Sequence, residues 1–275
     1  NIILDPIFIF VLAMGVKGAA LATVISQFVC ALWSFQFLTG QKTILKLKKE
    51  RLKLKIKHVK KIFALGMAGF MMGLTNSVVT IVCNATLQTY GGDFYIAIMT
   101  IINSIREVVS LPGQGLANAS QPVLGYNYGA KQYQRVLKAI RFTTITCFLT
   151  SFVLWLSITL FPQLYIQIFS HNPDIIKEGV QAIHLYFFGF FMMAFQMSGQ
   201  SIAVGLGKSK QAVFFSIFRK VMIVVPLTFI LPIYIGIQGV FIAEAISNFI
   251  GGGACYLTML LTIGKDLKKK VRTLE

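Results

Sequence analysis

The chain has 275 residues, of which 56% are hydrophobic and 13% charged, with 26 Lys and Arg against 9 Asp and Glu and a formal net charge of +17. That charged share is about half what a soluble domain carries, and the mean hydropathy is +0.72. An ordinary water-soluble fold is excluded, and the apolar residues fall in blocks long enough to cross a bilayer.

The chain opens inside an apolar segment, from Ile2 to Ala13, with no Met and no charged leader of the signal-peptide type. Seven apolar stretches follow, at about 18–39, 62–88, 94–118, 136–162, 177–206, 211–235 and 238–263. Each exceeds the roughly 20 residues that a helix needs to cross ~30 Å of hydrocarbon. No period-two alternation is sustained, so the expectation is an all-α polytopic membrane bundle with about seven complete transmembrane helices plus one partial. Short connections fall at Gly91-Gly92-Asp93, Asn172-Pro173-Asp174, Gly205 to Lys208 and Gly236 to Gly239. Asn172 before Pro173 reads as an N-cap with proline in the first helical turn.

An internal repeat organises the chain. Gly15-Val16-Lys17-Gly18-Ala19-Ala20-Leu21-Ala22-Thr23 aligns with Gly236-Ile237-Gln238-Gly239-Val240-Phe241-Ile242-Ala243-Glu244 at a fixed offset of 221 residues, as in transporters built from repeats. On that offset the first repeat lacks roughly 160 residues upstream of Asn1. Residues 41–61 read as a basic cytoplasmic linker between the halves, 62–263 as the second half and 264–275 as a basic cytoplasmic tail. Counting alternate loops gathers 23 of the 26 basic residues on one face, with Lys17, Arg106 and Lys177 elsewhere. By the positive-inside rule that face is cytoplasmic, so the net charge reports topology. No aromatic residues interleave with the lysines of 46–61, which argues against nucleic acid as a partner and for an amphipathic stretch on anionic lipid.

Polar residues inside the spans are the candidates for function. Asn1 and Asp5 lie one turn apart, and Pro6 can free a carbonyl as a further ligand. Thr100, Asn103, Glu107, Ser110, Gln114 and Gln121 form a stripe down one helical face, with Pro112 and Gly113 expected to kink it. Asn76, Thr80, Asn84 and Gln88 form a second stripe, and Gln196 and Gln200 a third. Lipid penalises such stripes, so they are expected to face other helices or a wet passage. Glu244 occupies the repeat position of Thr23, and a structural hydrogen bond accounts for it equally well. Cys30, Cys83, Cys147 and Cys255 read as apolar packing residues. No catalytic motif or metal-ligand spacing is present, so neither an enzyme nor a cofactor is expected.

The segments Asn1-Ile2-Ile3-Leu4-Asp5-Pro6 with Gly15 to Thr23, and Gln121-Pro122-Val123-Leu124-Gly125-Tyr126-Asn127-Tyr128-Gly129-Ala130, resemble the multidrug and toxic compound extrusion (MATE) transporters. The resemblance implies twelve helices in two six-helix lobes. Residues 1–40 would then be the end of the fifth helix and the sixth helix of the first lobe, followed by the complete second lobe. It further implies plasma-membrane antiport, in which Na⁺ or H⁺ enters as drugs or other small organic compounds leave, by rocking of the lobes about a central passage. Asn1, Asp5 and Thr23 match the family's first-lobe cation site. Asn76 stands where some relatives carry a seventh-helix glutamate, and Tyr126 to Tyr128 belong to a structural corner. Cargo would meet Asn76, Thr80, Asn84, Asn103, Glu107, Gln114, Gln196 and Gln200. Membrane lipid is the other partner, and the protein is expected to be monomeric. The alternatives are a lipid-linked sugar flippase of the same superfamily, which calls for a more cationic cavity than Arg106 alone supplies, a membrane-embedded enzyme and a passive channel.

Overall fold

The computed structural model describes residues 1–40 and 55–273, so most of the basic stretch at 41–61 lies outside the described residues. The chain forms two compact units, Asn1–Ile62 and Phe63–Glu275. Every regular element among the described residues is helical.

In the first unit, Leu4–Pro6 continues as a π-helical turn, Ile7–Val11 (together α1), and is followed by α2, Gly15–Thr39. The corner between them needs Gly15, which sits at φ 55°, a left-handed conformation that costs glycine little. Gly18 lets α1 approach closely, because a Cβ there would lie 2.7 Å from the Phe8 carbonyl oxygen. The second unit repeats this construction at the offset read from the sequence. Gly236 sits at φ 66°, a Cβ on Gly239 would lie 2.6 Å from the Leu231 carbonyl carbon, and Ala22 and Ala243 are each fully buried.

Most of the next helix, Ile56–Gly129 (α3), belongs to the second unit, which starts at Phe63, and inside it only Gly92 departs from helical geometry, at φ 64° and ψ −163°. An uninterrupted helix of that length would run about 110 Å at 1.5 Å per residue, so the break at Gly92 makes two spans of it, where the Gly91-Gly92-Asp93 connection was expected. Pro112 and Pro122 keep helical φ and ψ. Then come α4 (Tyr133–Leu160), α5 (Pro162–Gln167), α6 (Pro173–Phe187), a 3₁₀ turn at Phe190–Met192 and α7 (Met193–Gly205). The last two are α8, Ser209–Ile235, and α9, Gln238–Arg272, each containing a π-helical turn. Asn172 caps α6 as anticipated, accepting from the Asp174 N–H at 2.9 Å. The uninterrupted span expected at 177–206 is instead broken at Gly189, φ 75°. The ring of Phe249 occupies the place a Cβ would take there, so this position requires glycine twice over.

Among the described residues, six helical stretches are long and apolar enough to cross a membrane, and the one at Gly69–Gly129 contains the Gly92 break. The protein is a multi-pass membrane protein. Two apolar layers hold the second unit together, one around Leu87, Ile102, Ile183, Phe187 and Phe241 and the other around Leu124, Ile140, Ile202, Met259 and Ile263. The family-like segment 121–130 pins the latter layer. Gly125 and Gly205 bring α3 against α7, with Gln121 Nε2 donating to Ser201 Oγ at 3.1 Å. Lys270 Nζ donates to Tyr128 Oη at 2.9 Å and lies over the Tyr128 and Tyr133 rings, tying the corner to the end of α9.

Candidate functional site

Each unit carries its own set of polar side chains within the helices. In the first unit, the helical turn at Leu4–Pro6 places Asn1 and Asp5 on one face, with the Asp5 N–H donating to the Asn1 carbonyl at 2.8 Å. Asn1 Nδ2 donates to Thr23 Oγ1 at 3.3 Å, and the Thr23 hydroxyl donates back along α2 to the Ala19 carbonyl at 2.9 Å. Asp5 Oδ1 is buried with no hydrogen-bond partner among the described residues. Pro6 offers no N–H to the carbonyl four residues before it. The set therefore offers oxygens only, from a carboxylate, an amide and a hydroxyl, which is the donor chemistry of a hard cation or a proton. Keeping such a carboxylate in a membrane helix costs about 2.5 to 3.5 kcal/mol, and a bound cation would offset that cost.

In the second unit, α3, α6, α8 and α9 enclose a recess of ≈ 430 Å³ including its open mouth, of which ≈ 20 Å³ is open to the centre of a water molecule. The recess has room for about one water. Of the residues expected to meet cargo, Asn76, Thr80 and Asn103 line this recess, with Asn76 and Thr80 exposed at the mouth. The other five do not line it. Asn84 is half-buried, while Glu107 and Gln114 are exposed. Gln196 is buried with Oε1 unpartnered among the described residues, and Gln200 Nε2 donates to the Ala212 carbonyl at 3.2 Å, joining α7 to α8.

The recess also holds charged groups that the sequence reading placed elsewhere. Arg219 and Lys220 were counted with the cytoplasmic loop at 208–220, but α8 starts at Ser209, so they lie about 15 Å along it and face inward. Arg219 is 1% exposed. Its Nη2 meets Glu244 Oε1 at 2.9 Å, and its Nη1 donates to Asn248 Oδ1. Gly251, one turn beyond Asn248, makes room for the arginine stem, since a Cβ there would lie 2.8 Å from Arg219 Cδ. Lys220 Nζ donates to Asn76 Oδ1. Arg106 lines the same recess with its Nε unpartnered among the described residues, and neither Arg106 nor Lys220 has an ion pair there. Three cationic side chains thus share the recess with one carboxylate, against the single Arg106 that the sequence reading assigned to this half. Glu244 is the position equivalent to Thr23, and in both units this residue reaches back to the preceding helix, to Asn1 in one and to Arg219 in the other.

An in-span Arg-Lys pair beginning at the ninth residue of the apolar stretch 211–235 was a signal available in the sequence, as was Glu244. Tyr186, which also lines the recess, carried none. Among the described residues no cluster of His, Cys, Asp and Glu could hold a metal ion, and His184 Nε2 lies 3.2 Å from the Thr159 carbonyl.

Comparison with known proteins agrees with this architecture. The family model MatE matches residues 68–230. "Multidrug export protein MepA" of Staphylococcus haemolyticus (strain JCSC1435) is 28% identical over 96% of the chain and 59% of its own length. The protein of that name from Staphylococcus aureus (strain MSSA476) is 26% identical over 87% of the chain and 52% of its own length. Among solved structures, one described as "Crystal structure of MATE in complex with MaL6" superimposes with a TM-score of 0.90 at 25% identity, covering 98% of the chain and 61% of that structure. Another, an outward-facing multidrug resistance MATE family transporter of the MOP superfamily, gives a TM-score of 0.90 at 26% identity, covering 98% of the chain and 60% of that structure. The chain spans between half and three fifths of the length of these relatives. With the matched segment covering more than half of its residues, the chain belongs to the MatE family of membrane transporters.

Proposed function

We propose that this chain is the end of the first lobe and the second lobe of a plasma-membrane antiporter that exports drugs or other organic compounds in exchange for Na⁺ or H⁺. The relatives named multidrug export proteins support the export reading. The observation that carries the coupling is the buried, unpartnered Asp5 Oδ1 beside the Asn1–Thr23 contact. A carboxylate held this way takes up a cation or a proton from one side of the membrane and releases it when the other side opens. Asn1 and Thr23 orient it and complete an oxygen shell, while Asn76, Thr80 and Asn103 at the recess of the second lobe meet cargo.

The test uses the full-length protein in proteoliposomes, with ethidium as cargo and either a Na⁺ or a pH gradient imposed. Wild type is expected to move ethidium with one of the two gradients. Asp5→Asn should reduce gradient-driven export to background at unchanged expression, and Thr23→Ala should raise the cation concentration needed for half-maximal export. Gradient-driven export by Asp5→Asn at the wild-type rate would remove Asp5 from the mechanism.

A further inference from the structure

The recess of the second unit is electrostatically unbalanced in a way that cationic cargo does not explain. Arg106, Arg219 and Lys220 line it against Glu244 alone. Glu244 is already committed to Arg219. Arg106 is left with a buried, unpartnered Nε, and Lys220 has a neutral amide, Asn76, as its partner. Buried positive charge of this kind is stable when an anion completes it. Arginine in particular presents N–H donors matched to carboxylate and phosphate oxygens. The recess has room for about one oxygen atom beyond its lining, and Asn76 and Thr80 on its lining are exposed, so an anionic headgroup would present one oxygen to the recess with the rest of the molecule outside.

We infer that the recess between Arg106 and Lys220 is a binding site for a phosphate-type anionic headgroup. The headgroup belongs either to a soluble organic anion or to an anionic lipid. Its oxygens accept from the Arg106 guanidinium and the Lys220 ammonium, and the Arg219–Glu244 pair forms the fixed floor. This adds a cargo or ligand class to the export reading without depending on it, because binding is measured without transport.

The experiment is calorimetric titration of the full-length protein in phosphatidylcholine nanodiscs with two soluble probes of similar size, phenyl phosphate and benzyltrimethylammonium. Phenyl phosphate should bind to wild type, and Lys220→Gln and Arg106→Gln should each weaken it about tenfold, the loss expected for one charge-assisted hydrogen bond. Neither variant should weaken binding of the cation. Lys220 is half-buried and outside the Arg219–Glu244 pair, so Lys220→Gln, whose amide can still donate to Asn76, should keep the wild-type melting temperature and serve where Arg106→Gln does not fold. Nanodiscs doped with phosphatidylglycerol separate the two sources. If a lipid headgroup is the occupant, the dopant competes with phenyl phosphate in wild type and is retained on the protein in native mass spectrometry. If the occupant is a soluble anion, the dopant has no effect. The inference is overturned if phenyl phosphate binds no better than benzyltrimethylammonium while phosphatidylglycerol is not retained, or if Lys220→Gln leaves phosphate binding unchanged. Ethidium export surviving such a result would leave the proposed function standing.

Discussion

Removing Glu244 should cost far more than removing the arginine it pairs with. The Arg219 and Glu244 side chains are 2% and 7% exposed, so water screens the pair little. Breaking a buried pair from one side costs about 3 to 5 kcal/mol, because the remaining charge stays buried without its partner. Glu244→Gln would leave Arg106, Arg219 and Lys220 in one recess with no carboxylate, and the full figure should apply. Arg219→Met would leave Glu244 facing Arg106 and Lys220, both lining the same recess. Its penalty should be less than half as large. At about 2 to 4 °C per kcal/mol for a unit of this size, Glu244→Gln should lower the melting temperature by about 10 °C in detergent, and Arg219→Met by under about 5 °C. The double variant should be more stable than Glu244→Gln, since it removes one of the stranded cations. All variants are compared at one scan rate, because membrane-protein unfolding is often irreversible. A Glu244→Gln protein that melts with wild type, or an Arg219→Met protein that melts below the Glu244→Gln protein, would refute the reasoning.

Two further predictions concern backbone packing. Gly251→Ala places a methyl group 2.8 Å from Arg219 Cδ and 2.9 Å from its Cβ and should cost about 1 to 3 kcal/mol by overpacking; the cost should shrink when Arg219 is Ala, which removes the Cδ contact and keeps the Cβ one, and thermal melts of the two pairs would show it. Gly239→Ala presses on the backbone at Leu231 and Pro232 and should cost more than that. Gly253→Ala meets nothing within 4 Å and should be neutral or stabilising, as alanine outranks glycine in a helix by about 1 kcal/mol. Equal melting temperatures for the Gly239 and Gly253 variants would contradict the repeat packing.

The spans were legible in the sequence because hydrocarbon thickness sets the length of each apolar block, and the Gly91-Gly92-Asp93 break separated two of them. The repeat was legible too, since Gly15 and Gly236 mark a left-handed corner and Gly18 and Gly239 a close helix contact, both of which only glycine satisfies cheaply. Spacing also put Asn1 and Asp5 on one helical face, while Thr23 was named with them only through the resemblance to MATE transporters. What spacing did not reveal was which face of a helix its neighbours leave open. Gln114 lies on the same stripe as Asn103, yet only Asn103 lines the recess. Arg219 and Lys220 were misplaced because Lys208 and Lys210 lie just ahead of them and drew the boundary of the loop too far along α8. Gly189 and Gly251 are needed for Phe249 and Arg219, residues far away in the chain, and nothing local records such a requirement.

The most direct measurement is ethidium movement by the full-length protein in sealed proteoliposomes, with and without an inward Na⁺ or H⁺ gradient and with an ionophore added to collapse it. Exchange predicts uphill ethidium movement that follows one gradient and stops when the ionophore is added. Ethidium that equilibrates at the same rate in every condition, or large unitary currents across a planar bilayer, would contradict it.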